Sequence, residues 1–180
     1  MILRLKQMET PRLFLREMLP ADAKDFFQLN LDPEVIRYTG DVPFESFEKS
    51  EQFLEKYPGY TYEHCGYGRW TCILKETGEN VGWCGIRLHE DGQVDLGYRF
   101  HKRFWNKGLA TEASFASLKL AFEFFKLEEV YACAHEENLA SIRIMQKTGM
   151  TFQKKVDTEH YYIIRKQAFN CPFKVQVYLQ

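Results

Sequence analysis

The spacing of apolar positions changes several times along the chain, and each change marks an element. Arg12-Leu13-Phe14-Leu15-Arg16 has the period of two that a half-buried strand needs. Pro20-Ala21-Asp22 opens a helix whose apolar face is Ala23, Phe26, Phe27 and Leu29. Asp32-Pro33 starts a second helical turn, because proline suits the first helical position. Ser46 followed by Lys49 makes a poor capping box, yet Phe47, Phe53 and Leu54 keep helical spacing to about Tyr57. The period of two then returns. Arg69 to Leu74 and Asn80 to Leu88 form a hairpin around Glu76-Thr77-Gly78-Glu79, and Val94 to Phe100 follows through the Asp91-Gly92 turn. Leu109 to Phe125 has the spacing of one long helix. Beyond it come a strand (Glu129 to Ala134), a helix (Leu139 to Lys147) and a strand (Thr151 to Val156). Tyr161 to Ala168 and Lys174 to Tyr178 finish the sheet. Helices early, an antiparallel meander and then a β-α-β-α-β-β run predict an α+β fold with helices on both faces of a mixed sheet.

Composition narrows the class. With 180 residues, 45% hydrophobic and 16% aromatic, the chain can bury one substantial core as a single domain. No repeat, low-complexity block or linker marks a boundary. A net charge of −1 draws it toward neither nucleic acid nor an anionic membrane. No apolar run reaches the ~18 residues of a membrane span, and the opening MILRLKQMETPRL breaks its apolar residues with Arg and Lys, unlike a leader. Five cysteines (65, 72, 84, 133 and 171) without CxxC spacing predict reduced thiols in a cytoplasmic protein. No metal site is expected, since His64-Cys65 lacks further ligands nearby.

The segment Phe104-Trp105-Asn106-Lys107-Gly108-Leu109-Ala110-Thr111-Glu112-Ala113 carries the candidate chemistry. A strand, a glycine turn and a helix in succession present unpaired N–H groups at the positive end of the helix dipole. Gly108 removes the side chain that would hold an anion away from them; alternatively it only eases the bend. GxxxxGK and GxGxxG are both absent, so neither a triphosphate loop nor a dinucleotide fingerprint is indicated.

This segment and the preceding Val94-Asp95-Leu96-Gly97-Tyr98-Arg99-Phe100 resemble the cofactor segment of the GNAT N-acetyltransferases, in particular the branch around RimJ and RimL. That family's loop is Gln/Arg-x-x-Gly-x-Gly/Ala; here Trp105 stands at the first position, with Gly108 and Ala110 completing it. Glu9 to Arg16, Val81 to Gly85 and Asn138 to Met150 resemble three further segments of the branch, so the resemblance spans residues 9 to about 168. It implies one domain built on a mostly antiparallel sheet of about seven strands, with Val94 to Phe100 and Glu129 to Ala134 parallel and splayed. It also implies acetyl-CoA as donor, with CoA as product. Asn106, Lys107, Gly108, Leu109, Ala110 and Thr111 would hold the pyrophosphate. Tyr98, Phe100, Asn138 and Ser141 would line the pantetheine arm, which pairs with the parted strands as an added strand does. Phe104 and Trp105 are then packing that fixes the loop.

Acetyl transfer to an amine requires a proton to leave the amine, a donor for the oxyanion and a proton for the thiolate. By the resemblance Asp95 is the base candidate, or else a partner for an arginine, and Ser141 is the proton donor or a cofactor contact. The tyrosine that many relatives carry seven residues after the asparagine is Met145 here, and Cys133 replaces a glutamate found in others. His135, Glu136 and Glu137 offer a route through water. The implied activity is transfer to a primary amine: a protein N-terminus, a polyamine or another small molecule. A CoA-binding sensor without turnover is the alternative, with Met145 in its favour. The chain is expected as a monomer or homodimer, and the acceptor pocket between residues 30–68 and 157–168.

Overall fold

A computed structural model describes residues 5–179; Met1 to Arg4, the start of the stretch judged unlike a leader, lie outside the described residues. The elements are β1 (Leu5–Glu9), β2 (Leu13–Glu17), α1 (Ala23–Leu31), α2 (Pro33–Ile36), α3 (Phe47–Tyr60), α4 (Tyr62–Cys65), β3 (Arg69–Leu74), β4 (Asn80–Leu88) and β5 (Val94–Phe100). There follow α5 (Leu109–Lys119), β6 (Glu129–His135), α6 (Leu139–Lys147), β7 (Thr151–Val156), β8 (Glu159–Arg165) and β9 (Gln176–Leu179). The strands form one nine-stranded sheet in the order β7-β8-β6-β5-β4-β3-β2-β1-β9. Every neighbouring pair is antiparallel except β5 and β6.

Alternation along the strands sorts the side chains onto two faces. Cys84 faces α5, with its Sγ 3.5 Å from Ser117 Oγ. Its neighbour Trp83 faces α1 and lines a small internal cavity with Phe26 and Leu29. Trp70, Leu13, Leu15 and Ile86 in the strands and Leu118 and Phe122 behind them are essentially inaccessible, each contributing about 1.5–3 kcal/mol by burial. Gly85 allows β3 and β4 to pack closely, because a Cβ there would lie 2.2 Å from the Gly68 carbonyl oxygen.

Three details depart from the expectation. First, the sheet has a strand before β2 that the alternation does not predict: β1 pairs with β9, which ends the sheet at the edge far from β8. Second, α3 continues through Pro58 to Tyr60, and the Thr61 hydroxyl takes the Tyr57 carbonyl at 2.8 Å. Ser46 caps this helix after all, accepting from the Lys49 amide at 3.4 Å. Third, the long helix after Gly108 is regular only to Lys119; Leu120–Phe124 widen into a π-helical turn.

Candidate active site

The parallel pair positions the site. β5 and β6 share a single registered pair, Asp95 opposite Tyr131, and no pairing follows it toward Phe100 and His135. Parallel neighbours normally stay bonded along their length at about 4.8 Å, so here the main-chain groups beyond Asp95 face a gap. Tyr98 crosses beneath that gap and donates its hydroxyl to the Ser141 carbonyl at 3.0 Å, tying β5 to α6. Burial raises the Tyr98 phenol well above its ordinary value.

The turn before α5 lies beyond the end of β5. Asn106 and Gly108 both have positive φ, 58° and 74°. A Cβ on Gly108 would have only Arg12 Nη2, at 3.5 Å, for a neighbour. Glycine is thus required by backbone angle rather than by crowding, and the space above it is open. No side chain caps α5. Its first bond runs from the Glu112 amide to the Gly108 carbonyl at 3.0 Å, leaving the Leu109, Ala110 and Thr111 amides ahead of it without a main-chain partner among the described residues. This cradle fits a phosphate group. Phe104 is buried, and Trp105 is partly exposed with Nε1 donating to the Phe100 carbonyl at 2.7 Å, so both rings hold the loop as expected.

The start of α6 differs. Asn138 Oδ1 accepts from the Ser141 amide at 3.2 Å and caps the helix, and its Nδ2 has no partner among the described residues. The Ser141 hydroxyl has none either, while its carbonyl holds Tyr98. Met145 is fully buried.

Alternation places Asp95 on the opposite face from Tyr98 and Ser141, toward α1 and α3. There Arg69 reaches across Gly97, whose absent side chain makes room for the guanidinium, and grips both Asp95 oxygens at 2.9 and 2.7 Å. His89 Nε2 lies 3.1 Å and Arg87 Nε 3.7 Å from the same carboxylate. Asp95 is therefore a salt-bridge partner, the second of its two sequence readings. Glu136 is likewise engaged by Lys155, which lowers its carboxyl below the usual range. His135 accepts from the Glu137 amide at Nδ1, and its ring stacks on Tyr38 at 5.3 Å. Cys133 is exposed on β6 rather than packed, and desolvation raises its thiol above its ordinary value.

Arg12, Arg69 and Glu112, which no local pattern singles out, border the phosphate turn and Asp95. Glu112, an acid in the first turn of a helix, suits the dipole in sequence. Its partner Arg12 lies 100 residues away, and no local pattern links the two.

The model of the acetyltransferase (GNAT) domain matches residues 12–151. This chain belongs to the GNAT acetyltransferases. An uncharacterized N-acetyltransferase p20 of Bacillus licheniformis is 31% identical over 148 residues, covering 81% of this chain and 82% of the relative. Spermidine N(1)-acetyltransferase of Escherichia coli K12 is 25% identical over 160 residues, covering 87% and 81%. The crystal structure of spermidine N-acetyltransferase from Vibrio cholerae in complex with CoA and spermine superposes with a TM-score of 0.74 at 16% identity, covering 88% of this chain and 97% of that one. The GNAT fold is thus the one described above, with nine strands among the described residues, close to the seven or so expected, and acetyl-CoA is the donor that GNAT acetyltransferases use. No helix among the described residues is long and apolar enough to cross a membrane.

Proposed function

We propose that this GNAT enzyme transfers the acetyl group of acetyl-CoA to a primary amine, by direct attack with both substrates held where β5 and β6 part. The observation carrying this is the single Asp95–Tyr131 pair beside an uncapped helix start: free strand groups adjoin free helix amides. Acetyl-CoA supplies the acetyl group as an activated thioester. The amides from Asn106 to Thr111 hold its pyrophosphate, and the bared edges of β5 and β6 hold the pantetheine arm. Asn138 Nδ2 donates to the same arm, and Tyr98 and Phe100 form its floor. Ser141 Oγ gives its proton to the departing sulfur and takes one back from solvent water.

Asp95 we read as an anchor rather than the base. Its oxygens already accept from Arg69, on the face of the sheet opposite Tyr98 and Ser141. The amine's proton leaves through water at the open end of the cleft, past His135. Asp95→Asn is then expected to cost about 3 kcal/mol of stability by stranding Arg69. A denaturant midpoint unchanged by this variant would remove the anchor role.

Polyamines are our first choice of acceptor, supported by the names of the two spermidine acetyltransferases similar to this chain. Peptide N-termini are the second, supported by the RimJ/RimL-like segments around Val94 to Ala113. Free, unpaired cysteines support a cytoplasmic setting. The test is thiol release from acetyl-CoA against polyamines, aminoglycosides and peptides with free N-termini. We expect release to depend on one class of primary amine. Tight CoA binding with no release on any amine would instead leave the CoA-sensor reading.

A further inference from the structure

The turn between β1 and β2 reaches the phosphate cradle with a cation that no loop motif contains. Glu112, buried in the first turn of α5, accepts from Thr10 Oγ1 at 2.6 Å, from the Arg12 amide at 2.8 Å and from Arg12 Nε at 2.6 Å. Arg12 Nη1 donates to the Lys107 carbonyl at 2.8 Å. Two of the three guanidinium nitrogens are thus fixed, one to the helix and one to the loop. The third, Nη2, lies 3.5 Å from where a Gly108 side chain would begin and takes no partner among the described residues. The side chain is 48% exposed, so this free edge meets solvent beside the open amides.

We propose that Arg12 is a phosphate-binding residue of the donor site, and that Glu112 positions it. This rests on the placement of the pyrophosphate at Gly108. A guanidinium held on two sides loses little rotamer freedom on binding, and charge-assisted bonds to phosphate are stronger than neutral ones. Glu112 also neutralises the arginine on its buried side, so the cationic edge is presented outward without leaving an unpaired charge inside. The same carboxylate joins the N-terminal strands to the loop, which makes the cradle's shape depend on a residue pair distant in sequence.

The test compares two acetyl donors, acetyl-CoA and S-acetyl-pantetheine, which lacks the phosphates. In Arg12→Gln the ratio of kcat/KM for acetyl-CoA over acetyl-pantetheine should fall about tenfold or more, the scale of one charge-assisted hydrogen bond. Glu112→Gln, which keeps an acceptor for Thr10 but loses the ion pair, should lower the same ratio less, through KM for acetyl-CoA. Equal loss on both donors would make the pair purely structural and overturn the proposal, as would an unchanged ratio in Arg12→Gln. Gly108→Glu separates the underlying placement: if it too leaves the ratio unchanged, the pyrophosphate does not lie at this turn. If Gly108→Glu collapses the ratio and Arg12→Gln does not, only the role of Arg12 fails.

Discussion

Two helices begin at the cleft, and they begin in opposite ways. α5 opens on Gly108 with a left-handed backbone, no capping side chain and free amides, whereas α6 opens on Asn138, whose side chain closes over the Ser141 amide. An isolated helix gains about 1 kcal/mol from a good cap, so an uncapped start leaves stability unclaimed. The contrast shows which helix is built to receive something from outside. α5 leaves its first turn to a ligand's oxygens; α6 satisfies the Leu139 and Ser141 amides of its own first turn and has the Ala140 amide, a side-chain amide and a hydroxyl left to offer.

The largest effect should come from closing the open start. Acetyl-CoA at about 100 times its Kd should stabilise the parent by roughly 2.7 kcal/mol in a thermal melt. Gly108→Glu should abolish that gain, because it puts a strained side chain and a negative charge at the amides. A full gain in the variant would erase the distinction between the helices.

Gly108→Asn sharpens the contrast by separating strain from obstruction. Asparagine tolerates positive φ, so the free protein should keep its stability within a few tenths of a kcal/mol. Affinity for acetyl-CoA should still fall about tenfold, the scale of one charge-assisted bond, measured by titration calorimetry.

At α6 the two ends of one amide come apart. Asn138→Asp keeps the capping oxygen and loses the donor, so stability should hold while acetyl-CoA binding weakens about fivefold, roughly 1 kcal/mol for one hydrogen bond. Asn138→Ala should lose both, adding about 1 kcal/mol of destabilisation for the cap. If Asn138→Asp binds acetyl-CoA as well as the parent, the side chain is a cap and nothing more. The smallest change is expected for Ser141→Ala. A thiol already titrates near pH 8.5, so its protonation needs little help, and kcat should fall less than about tenfold with KM for acetyl-CoA constant. A rise in that KM instead would make Ser141 a binding contact.

Local pattern carried much of this. The hairpins at Gly78 and Gly92 and the helix starting at Leu109 are short-range features, and period and turn chemistry reveal them. Pairing across the chain was out of reach. β1 is only five residues long, and β9 finds it from more than 160 residues away, so the place of β9 at the sheet edge does not follow from its own residues. Asp95 shows the same limit at a single side chain. Its type and strand are consistent with a base, and only the folded sheet brings Arg69 across Gly97 to occupy it. The phosphate turn was visible as a motif; the arginine beside it was not.

The lone bridge between β5 and β6 also divides the molecule for local unfolding. On one side a continuous ladder runs from β5 to β9; on the other, β6, β8 and β7 form a ladder of their own. Few main-chain bonds join these blocks, so each can open without dragging the other. In the free protein, amide hydrogens of the β6–β8–β7 block should exchange at a lower free energy than those of β3 and β4. A donor lying across the joint would raise that lower value toward the global one, and the enzyme would unfold as a single unit only while charged with its substrate.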